Sequence, residues 1–442
     1  MRRCHRRRSW SRYCDGRARN SDSNRPMIAS LSATDMRHRS PAVGCRGCPP
    51  RPADRGPAWG IRPSMAHQTS LRTVPRRGGS NRSPYRPTNR LGYNSGMRTG
   101  IFLSYAGGFK DAAEQVVEFE KVGVDIALVA EAYSYDAISQ LGYLAAKTDT
   151  IELGTGVVPI YVRTPTLLAM TAAGLDYVSD GRFRLGIGTS GPQVMEGFHG
   201  VPFDAPMGRT REVVDICRQV WRRERVQHSG KHYQIPLPAD RGTGLGKPLR
   251  LINHPVRERI PITIAALGPQ NVELTAEIAE GWQPVFFYPE KAHEVWGDAL
   301  RAGAAKRDPQ LGPLDVMVSA SLAIGENVDD RLAWAKPQLA LYLGGMGARG
   351  KNFYHALATR YGFGEAADRI QDLYLSGRKQ EAVEAVPDDL VRHVSLVGPR
   401  GFVADRLAAY AEAGVTTILV HPLGTDNRES LAFVEELQAI TR

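Results

Sequence analysis

Residues 97–442 predict a closed (β/α)8 barrel, and three observations lead there. Eight short apolar runs alternate with helical patterns along this stretch. Four of the helix-to-strand junctions repeat one grammar: FEKVGVDIALVAE, LDYVSDGRFRLGIG, AEIAEGWQPVFF and YAEAGVTTILVHP each place a glycine (Gly123, Gly181, Gly281, Gly414) between a helix end and an apolar strand. Glycine there is the expected helix C-cap. The stretch also has the length that one α/β barrel fills, and repeated strand–helix alternation gives a parallel sheet with helices outside.

The chain before this body is different. Residues 1–96 carry 21 arginines against four acids (Asp15, Asp22, Asp35, Asp54), leaving 36 bases and 42 acids for the remainder. The basic balance of the whole chain therefore belongs to the first segment, and a nucleic-acid partner is not expected for the body. Rich in Arg, Ser, Pro and Gly and without periodic apolar residues, residues 1–96 are expected to be disordered. A translated upstream region with the true start at Met97, a flexible tail and an organellar transit peptide are the three readings. The first is favoured because MRTGIFLSYAGG opens a strand directly after Met97. Cys45 and Cys48 form a CxxC, but Cys4 and Cys14 are too far apart to make a second pair, so no metal is expected.

The strands follow in order. Residues 99–103 form the first, the run ending at Glu131 the second, 151–158 the third, and RFRLGIG the fourth. PITIAAL (261–267), the run up to Phe287, DVMVSASLAI (315–324) and TTILVHP complete the set. Two stretches interrupt the rhythm: 226–260, full of Gly, Pro and Arg, and 343–398, which contains LGGMGARGKNFYHALATRYGFG. Connections this long in a compact domain are expected to be lids or binding loops, or solvated insertions. Cys217, the one cysteine of the body, falls in an amphipathic helical pattern and is expected to be a small buried hydrophobe. With no signal-type segment and no run near the ~20 apolar residues that span a bilayer, the body is expected to be cytoplasmic and without a membrane partner.

In such a barrel the chemistry lies at the strand C-termini. Small residues dominate that face: Gly154 and Gly156, Gly186 and Gly188, Ala265 and Ala266. A planar group could rest against bare backbone there, while the amides of Thr189, Ser190 and Gly191 meet a phosphate at the next helix start. Tight turning alone would also explain the glycines. Glu131, ending the second strand, is a candidate proton carrier or cofactor contact, and equally a helix cap or a partner for an arginine. His421, ending the eighth, is the second catalytic candidate, with hydrogen-bonded scaffold as its alternative. His199, Tyr133 and Tyr135 are expected near the pocket.

Several separated motifs resemble a known family. VGVDIALVAEAY, LGTGVVPIYVRTPTLLA, DGRFRLGIGTSGPQ, PITIAALGP and GVTTILVHPLG are similar, in the same order, to the bacterial-luciferase-like flavin and deazaflavin oxidoreductases. The likeness is to the actinobacterial branch that uses coenzyme F-420, an 8-hydroxy-5-deazaflavin, and covers the body from Met97 onward. It implies a (β/α)8 barrel of the luciferase-like type, binding the deazaflavin at the strand C-termini. It implies a non-proline cis peptide at Gly156-Val157 under the ring. Phosphate and tail contacts fall on Gly188, Thr189, Ser190, Gly191, Gln193 and Val194, and a backbone wall on Ala265 and Ala266. The family's sugar-phosphate dehydrogenases have histidine after the acid ending strand two; here Ala132 follows Glu131, so sugar-phosphate oxidation is not expected.

The resemblance implies hydride transfer between coenzyme F-420 and a carbonyl, alcohol or activated alkene. An FMN-dependent monooxygenase on the same barrel is the alternative, and a deazaflavin-binding barrel without turnover is an alternative of another class. Phe353, Tyr354, Tyr361 and Phe363, in a lid over 343–380, would suit an apolar small-molecule substrate. A homodimer is in keeping with the family.

Overall fold

In the computed structural model, residues 96–103 and 108–442 are described. The expectation for residues 1–96, with their CxxC, lies outside the described residues apart from Gly96. Eight parallel strands close into a barrel: β1 (Arg98–Leu103), β2 (Ile126–Val129), β3 (Glu152–Thr155), β4 (Phe183–Gly188), β5 (Ile262–Ile264), β6 (Gly281–Trp282), β7 (Asp315–Ile324) and β8 (Thr417–Pro422). Each pairs with the next, and β8 returns to β1 through Arg98↔Thr417 to Ile101↔Val420. One long helix backs each step, from Phe109–Lys121 to Asn427–Thr441. These helices turn one apolar stripe inward, as Val213, Cys217, Val220 and Trp221 do in Pro206–Trp221. The Cys217 thiol is buried, and burial pushes its pKa up to about 12, so it behaves as the small hydrophobe expected.

Alternation along the strands fills the barrel in layers. At the N-terminal end Arg98, Glu152, Arg184 and Asp315 form an ion network, buried at Arg184 and partly open at Arg98, with Arg98–Glu152 at 2.6 Å, Arg184–Glu152 at 2.8 Å and Arg184–Asp315 at 3.1 Å. Burial opposes the Glu152 charge, but the Arg184 and Arg98 guanidinia outweigh it and hold the pKa down to about 2. Above the network, Ile126, Leu128, Met317 and Leu419 make a dry plug, with Phe102 packed against it. The plug seals the base of the barrel, so any ligand is confined to the C-terminal mouth.

Three features depart from the sequence reading. Gly123, Gly181 and Gly414 cap helices with φ of 88°, 81° and 88°, whereas Gly281 lies inside β6. A Cβ on Gly281 would lie 2.7 Å from the Thr263 hydroxyl, so glycine is there for closeness, not for a turn. The strand around Trp282 stops after two residues, and four residues further on Phe286 takes a left-handed φ of 52°. The upper half of β7 pairs instead with an added strand, Leu396–Gly398. Finally, 343–398 is mostly helical, with helices at Phe353–Arg360, Gly364–Leu375, Lys379–Glu384 and Asp388–His393. The other insertion, 226–260, stays largely irregular around a short hairpin, and its Arg257 reaches the buried Asp176 carboxylate at 3.0 Å.

Candidate active site

The mouth is built from the ends of all eight strands. Beyond β3 the Gly156-Val157 peptide is cis, and its two residues are pinned to β2: Gly156 N–H donates to Val129 O at 2.8 Å, and Glu131 N–H donates to Val157 O at 3.1 Å. On the other side the β3–β4 ladder is bridged by a side chain. The Thr155 hydroxyl donates to Gly186 O (2.7 Å) and accepts from Gly186 N–H (2.8 Å). The space left by two glycines is taken by the protein itself. A Cβ on Gly186 would lie 1.8 Å from Thr155 O, and one on Gly188 would lie 2.7 Å from Val157 Cγ2. These glycines seat the Val157 bulge, rather than leaving open wall.

Open backbone occurs at the next strand end. Nothing lies within 4 Å of where a Gly268 Cβ would be. Ala265–Gly268 is held from behind by two buried indoles, Trp282 Nε1 donating to Ala266 O and Trp296 Nε1 to Leu267 O, both at 2.9 Å. Gly268 also precedes helix Pro269–Ile278, whose N-terminus has no side-chain cap. Thr189, Ser190, Gly191, Gln193 and Val194 form the adjoining rim. Ser190 adopts φ of 57°, and the short helix Pro192–Met195 follows without a side-chain cap.

Glu131 is engaged by its neighbours. Arg163 forks onto both carboxylate oxygens (2.6 and 2.8 Å), and Oε2 also accepts Ala137 N–H at 3.0 Å, at the start of helix Ala137–Ala145. Three of its lone-pair directions are thus occupied, and cap and arginine partner, both foreseen, are present together. Sequence reasoning passed over Arg163, although YVRTP carries it.

His421 ends β8 on the interior face, two residues beyond Leu419 of the plug and opposite Ser321 in the β7 register. Its ring centroid lies 5.1 Å from that of Phe102. Burial lowers its pKa to about 4, against a backbone hydrogen bond at Phe102 that favours the charged form, so the imidazole is neutral near pH 7. Gln283, two residues beyond the inward Gly281, faces the same mouth by alternation, and its Oε1 is buried without a partner among the described residues. Neither Gln283 nor the β7 serines stood out in sequence, because their place depends on strand parity.

The outer residues sort differently. Tyr133 meets Phe198 with ring centroids 6.1 Å apart, whereas Tyr135 projects into solvent. His199 has its Nε2 buried and, among the described residues, unpartnered. In the helical insert, Tyr354 joins Phe286 and Tyr342 in an aromatic cluster, and Phe353 is exposed. Tyr361 is buried and donates to Phe286 O at 2.9 Å, so it anchors the insert instead of lining a pocket.

A barrel sealed below, with open backbone at Gly268 and an unpartnered Gln283 Oε1 among the described residues, is of the class that can hold a flat cofactor at the strand ends. Gln283 Oε1, unpartnered among the described residues, and the clear backbone at Gly268 before an uncapped helix fit a ring with polar edge atoms and an anionic tail. The chain belongs to the luciferase-like monooxygenase family, whose profile matches residues 90–417, and is an oxidoreductase. Rv3520c of Mycobacterium tuberculosis, provisionally named a coenzyme F-420-dependent oxidoreductase, is 42% identical over 333 residues, 74% of this chain and 95% of that one. The 5,10-methylenetetrahydromethanopterin reductase of Archaeoglobus fulgidus is 28% identical over 71% of this chain and 90% of its own length. Among solved structures, the F-420-dependent tetrahydromethanopterin reductase of Methanopyrus kandleri matches with a TM-score of 0.66 at 23% identity, over 77% of this chain and 98% of that one. The FMN-bound oxygenating constituent of 3,6-diketocamphane monooxygenase from Pseudomonas putida matches at 0.55 and 19% identity, over 78% and 98%. Fold alone is thus shared by both cofactor classes.

Proposed function

We propose that the protein transfers hydride between coenzyme F-420 and a small organic substrate bearing a carbonyl, alcohol or activated alkene. The observation that carries this reading is the 42% identity to Rv3520c along 95% of that protein's length. The deazaflavin, when bound, supplies two-electron hydride chemistry with little reactivity toward oxygen. This chain's own residues bind and orient. The Gly156-Val157 bulge and the Ala265–Gly268 wall would flank the ring, Gln283 would meet a polar ring edge, and Thr189 to Val194 would receive the tail. His421 would handle a proton, and Glu131 would act as a positioning residue that fixes the β2 end through Arg163.

The test is a titration of the protein with coenzyme F-420 and, separately, with FMN, following absorbance and fluorescence of each ring. Saturable F-420 binding with FMN ignored is expected. The reverse result would move the assignment to an oxygen-consuming FMN monooxygenase. Saturable F-420 binding without turnover across a broad alcohol and enone panel would favour a binding barrel.

The same reading places the enzyme in the cytoplasm. Among the described residues, no helix is long and apolar enough to cross a membrane. It also includes a homodimer. Helix Pro165–Val178 exposes Leu167, Met170, Tyr177 and Val178, and helix Ala137–Ala145 exposes Tyr143. Gly174 and Gly142, on the same two helices, have nothing within 4 Å of a Cβ position. An apolar face with small residues lets a second helix pair approach closely.

A further inference from the structure

Beside His421, between the upper ends of β7 and β8 and the segment leading into Leu396–Gly398, lies a recess whose polar lining is Ser319, Ser321, Gln338, Ser395 and His421, with Phe286 as its aromatic wall. Among the described residues no charged side chain lines it, and its cavity of about 20 Å³ has room for one oxygen-sized group. Ser395 is 1% exposed, and its Oγ has no hydrogen-bond partner among the described residues. A buried hydroxyl without a partner is unfavourable, and a ligand atom placed here would satisfy it. A carboxylate or phosphate would enter this neutral lining uncompensated, whereas a hydroxyl or carbonyl oxygen would find donors and acceptors.

We propose that this recess receives the uncharged oxygen borne by the substrate's reacting carbon, with Ser395 and Ser321 as its hydrogen-bond partners and His421 as acceptor of the hydroxyl proton. The inference rests on the function proposed above and narrows its substrates to alcohol and carbonyl pairs, leaving alkenes aside. On oxidation the O–H proton passes to the His421 ring nitrogen. The coenzyme, when bound, would supply the acceptor for the carbon-bound hydrogen and its electron pair, so that the C=O bond formed balances the O–H and C–H bonds broken; reduction would reverse both. The neutral imidazole accepts the proton, and the imidazolium so formed meets the backbone hydrogen bond at Phe102, which favours the charged form against burial.

The experiment uses the full chain labelled with 15N-histidine and without coenzyme, titrated with cyclohexanol and with isobutyramide, a carbonyl mimic. The His421 resonance is assigned by its loss in His421→Gln and, should that variant not fold, by its perturbation in Phe102→Leu, which alters the neighbouring ring. A saturable shift of that resonance is expected, with affinity at least fivefold weaker in Ser395→Val. An unmoved His421 resonance with both probes overturns the proposal, and so does a shift that Ser395→Val leaves unchanged. The coenzyme titration is read separately, so loss of the F-420 assignment and loss of the oxygen recess are different results. With coenzyme bound, Ser395→Ala is expected to raise KM for a secondary alcohol about tenfold with little change in kcat. His421→Gln should lower kcat and flatten its dependence on pH.

Discussion

Arg163 grips the Glu131 carboxylate at two points, Nη1 to Oε1 at 2.6 Å and Nη2 to Oε2 at 2.8 Å, and both side chains are mostly withdrawn from solvent. A fork of this kind is strong and directional. It aims the end of β2, whose Glu131 N–H holds the Val157 carbonyl.

Removing one partner leaves the other charge poorly solvated. Arg163→Ala is therefore expected to lower unfolding free energy by about 3 kcal/mol, the usual scale for breaking a buried pair. Urea denaturation measures it. Glu131→Gln is expected to weaken coenzyme binding while keeping kcat within about tenfold of wild type. A loss of several orders of magnitude in kcat with the fold intact would instead make Glu131 the proton carrier.

The contact between Gly188 and Val157 supports a pairwise test. A methyl at residue 188 would come 2.7 Å from Val157 Cγ2, so Gly188→Ala must displace the bulge. We expect a cost of about 1–3 kcal/mol from overpacking, with coenzyme affinity falling in parallel. Val157→Ala in the same chain should restore part of both. Additive effects in this double-mutant cycle would show that the two residues do not communicate.

Strand alternation and glycine-capped helices were enough to read the barrel, because hydrophobic period and C-cap chemistry are local properties. Gly281 misled for a local reason too: a glycine after a helix looks like a cap whether it turns the chain or makes room for Thr263. Long-range features were illegible. Arg163 is 32 residues from Glu131, and Ser395 is 26 residues from His421. Nothing in spacing links such pairs until the barrel closes. The resemblance to luciferase-like enzymes located the cis peptide, which periodicity alone would not have done.

The exposed stripe on Pro165–Val178 makes self-association testable. Met170→Glu is expected to convert a dimer to a monomer in light scattering, since a buried unpaired carboxylate opposes the interface. The monomer should keep coenzyme affinity within a few-fold, because Met170 lies on the outer helix layer. A wild-type chain that is monomeric at tens of micromolar would remove the dimer from the reading.

Acid should act through two groups in separate windows. His421 has a folded pKa of about 4 against an ordinary 6.5, and Glu152 has about 2 against 4.5. In both cases the unfolded chain binds the proton more readily, so stability rises with pH through each window and falls as the solution is acidified. The His421 contribution is present above pH 6.5 and fades toward 4; that of Glu152 is present above 4.5 and fades toward 2. Urea midpoints between pH 3 and 8 should therefore decline in two stages. His421→Gln should abolish the upper stage alone. Glu152→Gln should destabilise the protein at neutral pH by about 3 kcal/mol, because the Arg184 charge is left inside the barrel. It should also suppress the lower stage. A single acid transition shared by all three proteins would mean that neither group governs the decline.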